Sequence, residues 1–359
     1  MTRLHWAIRM LPALALILFL AAPANAQEQV PRVTIVATGG TIAGTSETRT
    51  SFQSYRAGQL PIEEMLADLQ PEIGEVADVS TVQFDNRGSG GYEVADYYDL
   101  TFAVEEALET ADAVVVTVGT TTMEEFAYWL DLTVQSPKPV VLTGAMRPWT
   151  VIGTDAHANL FNAITLAASG RTTCFGTVIL MNDEIHAAKE AWKSDDYRMN
   201  TFISRLQGTL GYVDERDVRV FRAPPRIQRC DDPAQWRTPF DLSRVAKEEL
   251  PRAEIVVGYQ GAGPEAITAF HEAGVEGIVL AGGSPYFREA REAAEADGVI
   301  FRTQSRFRSG RDNLMPQKTR LLLLLSLAFT DDPDQVDEWF ALYGAPEFDL
   351  ADPPLTSNP

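Results

Sequence analysis

Two threonine-bearing segments hold the residues best suited to chemistry. The first, Ile35-Val36-Ala37-Thr38-Gly39-Gly40-Thr41-Ile42-Ala43-Gly44, runs from a β-rich stretch into paired glycines and then a threonine. Paired glycines let the backbone turn tightly and approach a ligand. They also leave amides, near Gly40 here or Gly119 in the second segment, free to meet a developing oxyanion. A threonine just beyond them is placed to attack a carbon. A strand-to-loop turn with a capping threonine fits the same residues about as well. A phosphate loop fits worse, because the GxxxxGK[ST] spacing is absent. The second segment is Thr120-Thr121-Thr122, behind the apolar run at 113–118.

The surrounding elements must bring these segments together. Short Val/Ile/Leu-rich runs at 33–37, 113–118, 139–143 and 177–181 alternate with helical patterns at 123–130 and 158–168. Continuous apolar strands separated by helices predict a parallel sheet covered on both faces. Ligands of such sheets sit outside the carboxyl ends of the strands, where both threonine clusters fall. Residues 224–241 are rich in proline and charge and read as linker. Alternation then resumes, with strands at 255–259, 277–281 and 299–302, helices at 264–273 and 289–296, and two closing helices at 317–329 and 333–342. The predicted layout is a leader at 1–26, a larger N-terminal α/β unit at 30–223, a linker at 224–245, a smaller C-terminal Rossmann-like α/β unit at 246–346 and a disordered tail at 347–359.

The chain has 359 residues, 45% hydrophobic and 22% charged, which is the balance of a globular protein large enough to bury a substantial core. Arg3 and Arg9, an apolar run at 11–22 and Ala24-Asn25-Ala26 form the pattern of a secretory leader. The run is shorter than the roughly 20 residues of a membrane span. A net charge of −20 opposes binding to nucleic acid or anionic lipid. Export would permit a bridge between Cys174 and Cys230, although spacing alone leaves bonded and free thiols equally open. The histidines show no metal-ligand spacing, so no metal is expected.

The segment ATGGTIAG at 37–44 resembles the first signature of the bacterial asparaginases. The stretch VVTVGTTTMEEFAYWLDLTV at 115–134 is similar to the family's second signature. KPVVLTGAMRP at 138–148, Met181-Asn182-Asp183, GTLGY at 208–212 and Pro316-Gln317-Lys318 follow in the family's order. The resemblance covers almost the whole chain beyond the leader. It implies a two-domain α/β fold, a homo-oligomer (dimer or tetramer), no cofactor, a small-molecule substrate and amide hydrolysis through an acyl-threonine intermediate; the leader pattern adds a periplasmic or secreted location. The resemblance also assigns roles: Thr41 resembles the nucleophile, Tyr55 the tyrosine of a lid, Thr120 the second catalytic threonine and Lys193 the catalytic lysine. The chemistry is coherent, because a threonine hydroxyl needs a base and a desolvated lysine can serve as one.

The sequence departs from the family where a substrate's α-amino group would be held. The family's His-Gly-Thr-Asp-Thr reads Val118-Gly119-Thr120-Thr121-Thr122 here, so Thr121 replaces an aspartate that binds an ammonium and supports the lysine. The Ser-x-Asp substrate motif falls within 85–93, where an ungapped count puts Gly91 at the serine position and leaves Tyr92 and Glu93 beside it. Gly261 stands where the family has an asparagine, and the segment at 307–315 is short. Gly40, Gly91, Tyr92, Glu93, Gly119 and Thr121 are therefore the expected substrate contacts. Asparagine or a related amide is the default substrate. The alternatives are an amide, lactone or ester without a free α-amino group, an intact site in which Glu93 or Asp85 takes the ammonium, and a binding protein without catalysis.

Overall fold

The computed structural model describes residues 30–305 and 314–349. The expected leader, most of the short segment at 307–315 and the tail beyond Asp349 lie outside the described residues. Thirteen strands and nine α-helices occur among them. The strands are β1 (Arg32–Gly39), β2 (Asp78–Arg87), β3 (Ala113–Thr117), β4 (Val140–Thr143), β5 (Thr177–Met181), β6 (Glu184–Ala187), β7 (Trp192–Lys193), β8 (Phe202–Ile203), β9 (Gly211–Asp214), β10 (Asp217–Val220), β11 (Ala253–Val257), β12 (Gly277–Ala281) and β13 (Ile300–Gln304). The helices are α1 (Ile62–Ala67), α2 (Val94–Thr110), α3 (Met123–Thr133), α4 (Ala156–Ala168), α5 (Pro233–Trp236), α6 (Glu265–Glu272), α7 (Arg288–Ala296), α8 (Pro316–Phe329) and α9 (Pro333–Trp339).

The larger sheet has the order β10-β9-β6-β5-β4-β3-β1-β2. Its half from β2 to β5 is parallel; the apolar runs predicted β1, β3, β4 and β5, whereas the half-exposed edge strand β2 was not foreseen. The half from β6 to β10 is antiparallel, which corrects the expectation of a parallel sheet. The reason is local. Asn182 and Asp183 both have positive φ, and a two-residue turn of that kind reverses the chain into a hairpin instead of a helical crossover.

Strand alternation divides the core. Val33, Ile35, Val115 and Val141 face α1 and α4 on one side. Val36, Val114, Val116 and Leu142 face α2, α3 and α8 on the other. The all-parallel smaller sheet, β11-β12-β13, packs α6 and α7 on its far face. Its near face shares α8 with the larger sheet, and Leu321 to Leu325 of that helix are all buried. One helix thus belongs to the cores of both sheets. It is not long or apolar enough to cross a membrane, nor is any other helix among the described residues.

The segment at 224–245, expected to link the two units, is packed rather than loose. Phe240 is fully buried against Phe329, Trp339 and Tyr343, and Arg226 lies 3.7 Å over the Trp236 ring. Cys230 in this segment is disulfide-bonded to Cys174, with Cα atoms 5.5 Å apart. The start of the expected disordered tail is held too, since Asp349 and Gln228 exchange two hydrogen bonds of 2.9 Å.

Candidate active site

The site forms at the carboxyl ends of β1 and β3, which are neighbours in the sheet. The two glycine turns there touch. A Cβ added to Gly40, whose φ is +80°, would lie 2.5 Å from the Gly119 backbone, and one added to Gly119 would lie 2.3 Å from Ser89 Cβ. Only glycine permits this approach, and it sets the two threonine clusters side by side. Thr38 faces inward, and its hydroxyl donates to Thr117 O at 2.9 Å. Thr41, one turn on, is 8% exposed, at the margin between core and solvent.

The chain from Thr41 to Gly58 folds back on itself. Gly44 N donates to Thr41 O, Thr45 and Arg56 exchange backbone hydrogen bonds of 2.9 Å, and Gly58 N donates to Gly40 O at 3.0 Å. This clip brings Tyr55 OH to 2.7 Å from Thr41 Oγ1. The tyrosine covers the first threonine.

Lys193 reaches the second. It lies on β7, paired with Phe202, and its Nζ donates to Thr120 Oγ1 at 3.1 Å. Two residues of α8 and α3 fix its approach. Lys318, fully buried, donates from Nζ to Ala188 O at 2.7 Å and Ala191 O at 2.6 Å, which locks the turn leading into β7. Glu124, at the start of α3, accepts from Lys193 N at 3.3 Å and from Gln317 Nε2 at 2.7 Å. Burial pushes the Lys193 amine below its ordinary value, while the carboxylates of Asp196, Asp195 and Glu124 pull the other way. Sequence reasoning missed Glu124 and Gln317. Both lie inside motifs noted in the sequence, Glu124 in the first turn of α3 and Gln317 in the first turn of α8.

The expected substrate contacts are divided. Gly119 lies against Gly40 at the centre, and Thr121 is exposed at the mouth. Gly40 cannot offer its amide, because Gly40 N donates to Arg87 O at 2.8 Å. Gly91 is set back: Arg87 Nη1 donates to its carbonyl at 2.6 Å, and Ser89 takes the place beside Gly119. Tyr92 turns away, its hydroxyl donating to Thr38 O and its ring edge-on to Phe126 at 5.2 Å. Glu93 is exposed at the start of α2, where its N–H donates to Asp96 Oδ2 at 2.7 Å. Asp85 accepts from Asn86 N at 2.6 Å and from the Arg87 guanidinium.

Fold and site define an α/β protein, built on a larger mixed and a smaller parallel sheet, with hydroxyl groups and one amine from the short β7–β8 pair gathered at the strand ends. The family model "Asparaginase, N-terminal" matches residues 32–226. "L-asparaginase 2" of Bacillus subtilis is 34% identical over 346 residues, covering 90% of this chain and 89% of that protein. "Probable L-asparaginase periplasmic" of Haemophilus influenzae is 35% identical over 88% of this chain and 94% of its own. The crystal structure of the "Probable Cytoplasmic L-asparaginase" of Campylobacter jejuni superposes with a TM-score of 0.78 at 31% identity, covering 87% of this chain and 99% of that one. The chain belongs to the asparaginase family, hydrolases of carbon–nitrogen bonds other than peptide bonds.

Proposed function

We propose that the protein hydrolyses the side-chain amide of L-asparagine or a closely related carboxamide, with Thr41 as the nucleophile. The observation that carries this reading is the pair of contacts at adjoining strand ends, Thr41 to Tyr55 at 2.7 Å and Thr120 to Lys193 at 3.1 Å. In this reading Thr41 Oγ1 attacks the amide carbon and its proton passes to a base. Lys193, neutral and hydrogen-bonded to Thr120, is that base, acting directly or through a water held by Thr120. The amide of Gly119 meets the oxyanion, since that of Gly40 is already donated. The proton held by Lys193 then passes to the amide nitrogen, so that collapse of the tetrahedral intermediate expels ammonia and leaves an ester on Thr41, which water then hydrolyses. The test is ammonia release from asparagine. Thr41→Ala lowers turnover by on the order of 10³-fold or more with the fold retained. Unchanged turnover in that variant overturns the proposal.

A second reading concerns the substrate. Thr121 carries no charge, and the Asp85 and Glu93 carboxyl groups are engaged or turned to solvent. Those facts favour an amide without a free α-amino group. Comparing asparagine with succinamate, the same chain without the ammonium, separates the readings: equal or faster turnover of succinamate supports the second.

We also infer export and self-association. The Cys174–Cys230 disulfide and a relative named periplasmic support an oxidising location. A dimer or tetramer, measured by light scattering of the purified protein, is the expected assembly.

A further inference from the structure

Among the described residues, Lys193 Nζ has one carboxylate within ion-pairing distance, that of Asp196 at 3.7 Å, three residues along the loop that follows β7. The strand-end turn beside it, Thr120-Thr121-Thr122, offers only hydroxyl groups. The lysine side chain is 11% exposed and Asp196 is 82% exposed. The amine therefore sits inside the site while its counter-charge sits at the rim. The loop is built to hold that arrangement. Asp195 spends its carboxylate on Tyr197 N at 2.7 Å and Arg198 N at 2.9 Å, and Thr201 Oγ1 accepts from Asp195 N at 2.6 Å. Asp196 is thereby left pointing back toward Lys193. The remaining groups around the amine are accounted for. Glu124 holds the lysine backbone and Gln317, and Lys318 is buried on the carbonyls of the preceding turn.

We propose that Asp196 is the positioning residue for Lys193, supplying from the loop after β7 the carboxylate that the strand-end turn lacks. It stabilises the ammonium and aims it at Thr120, and through that pairing it sets how much neutral amine is present at a given pH. Because Asp196 is exposed, its influence is screened by salt. This deepens the reading of Lys193 as base and rests on it.

The experiment uses Asp196→Asn and Asp196→Glu in the full chain at low ionic strength. Asp196→Asn raises kcat/KM on the acid limb of the pH profile by about 1.5- to 5-fold, the range that an exposed ion pair allows. Asp196→Glu restores the wild-type limb, and about 0.5 M salt shrinks the difference. An acid limb that stays in place in Asp196→Asn, or moves to higher pH, overturns the proposal. An NMR titration of the Lys193 Cε signal reads the same pairing without catalysis. If Lys193→Met retains full activity, the base reading fails, and that titration alone decides on Asp196: a midpoint moved to lower pH in Asp196→Asn sustains the pairing, and an unmoved midpoint ends it.

Discussion

Two side-chain contacts at adjoining strand ends carry the proposed chemistry. Thr41 and Tyr55 are 2.7 Å apart, and Thr120 and Lys193 are 3.1 Å apart. Burial is the largest influence on the lysine and favours its neutral form. The sign of the pH dependence follows. A base must be neutral, so activity rises with pH as the Lys193 ammonium loses its proton, then levels off. Lys193→Met removes that limb along with most of the activity, about 10²- to 10⁴-fold. A wild-type profile that is flat between about pH 6 and pH 10 would rule out a titrating lysine. At this scale the sequence was partly legible. Thr41 and Thr120 announced themselves by hydroxyls at the ends of β-rich runs. Lys193 and Tyr55 did not, because nothing local distinguishes them from surface residues, and only the family resemblance pointed to them. Ser89 was not singled out, because its contact with Gly119 joins two distant segments that spacing does not connect.

At the scale of elements, the site exists because two turns can touch. Gly40→Ala and Gly119→Ala each put a methyl group against backbone or Ser89 with no room for it. Each should cost roughly 1–3 kcal/mol in stability and separate the threonine clusters, so activity and urea resistance fall together. Gly90→Ala, one residue past Ser89, meets nothing within 4 Å and should leave both within error. A Gly119→Ala protein as stable and active as wild type would show that the strand ends need not touch. α8 is the other decisive element. Its N-terminal Gln317 and Lys318 secure Glu124 and the turn before β7, and its apolar middle fills the core shared by the two sheets. Its apolar run was readable as a buried helix, and its hold on the turn that leads to Lys193 was not.

At the scale of the whole molecule, the disulfide joins the turn before β5 to the packed segment at 224–245. The loop it closes spans 56 residues, for which chain-entropy arguments give about 4 kcal/mol. Cys230→Ser should therefore lower the urea midpoint of the oxidised protein, with activity retained at moderate temperature because neither cysteine borders Thr41 or Lys193. Reducing agent should reproduce the effect in the wild type. Identical midpoints with and without reductant would mean that the bond adds nothing in solution. Sequence spacing left the pairing open, because the closeness of Cys174 and Cys230 depends on how residues 224–245 fold against α3 and the C-terminal helix.

The sequence by itself determined what is local. Apolar runs of strand length placed four of the five strands in the parallel half of the larger sheet and all of the smaller one, since burial on both faces demands continuous Val, Ile and Leu; the half-exposed β2 carries no such run. Glycines and threonines marked the strand ends where chemistry could occur. Only the tertiary structure decided what depends on meetings between distant segments. It spent the Gly40 amide on Arg87, turned Tyr92 behind β1, and brought β7 within reach of Thr120 from 73 residues away. The physical reason is that periodicity reports which face of an element is buried, whereas the partner across that face is chosen by packing in three dimensions.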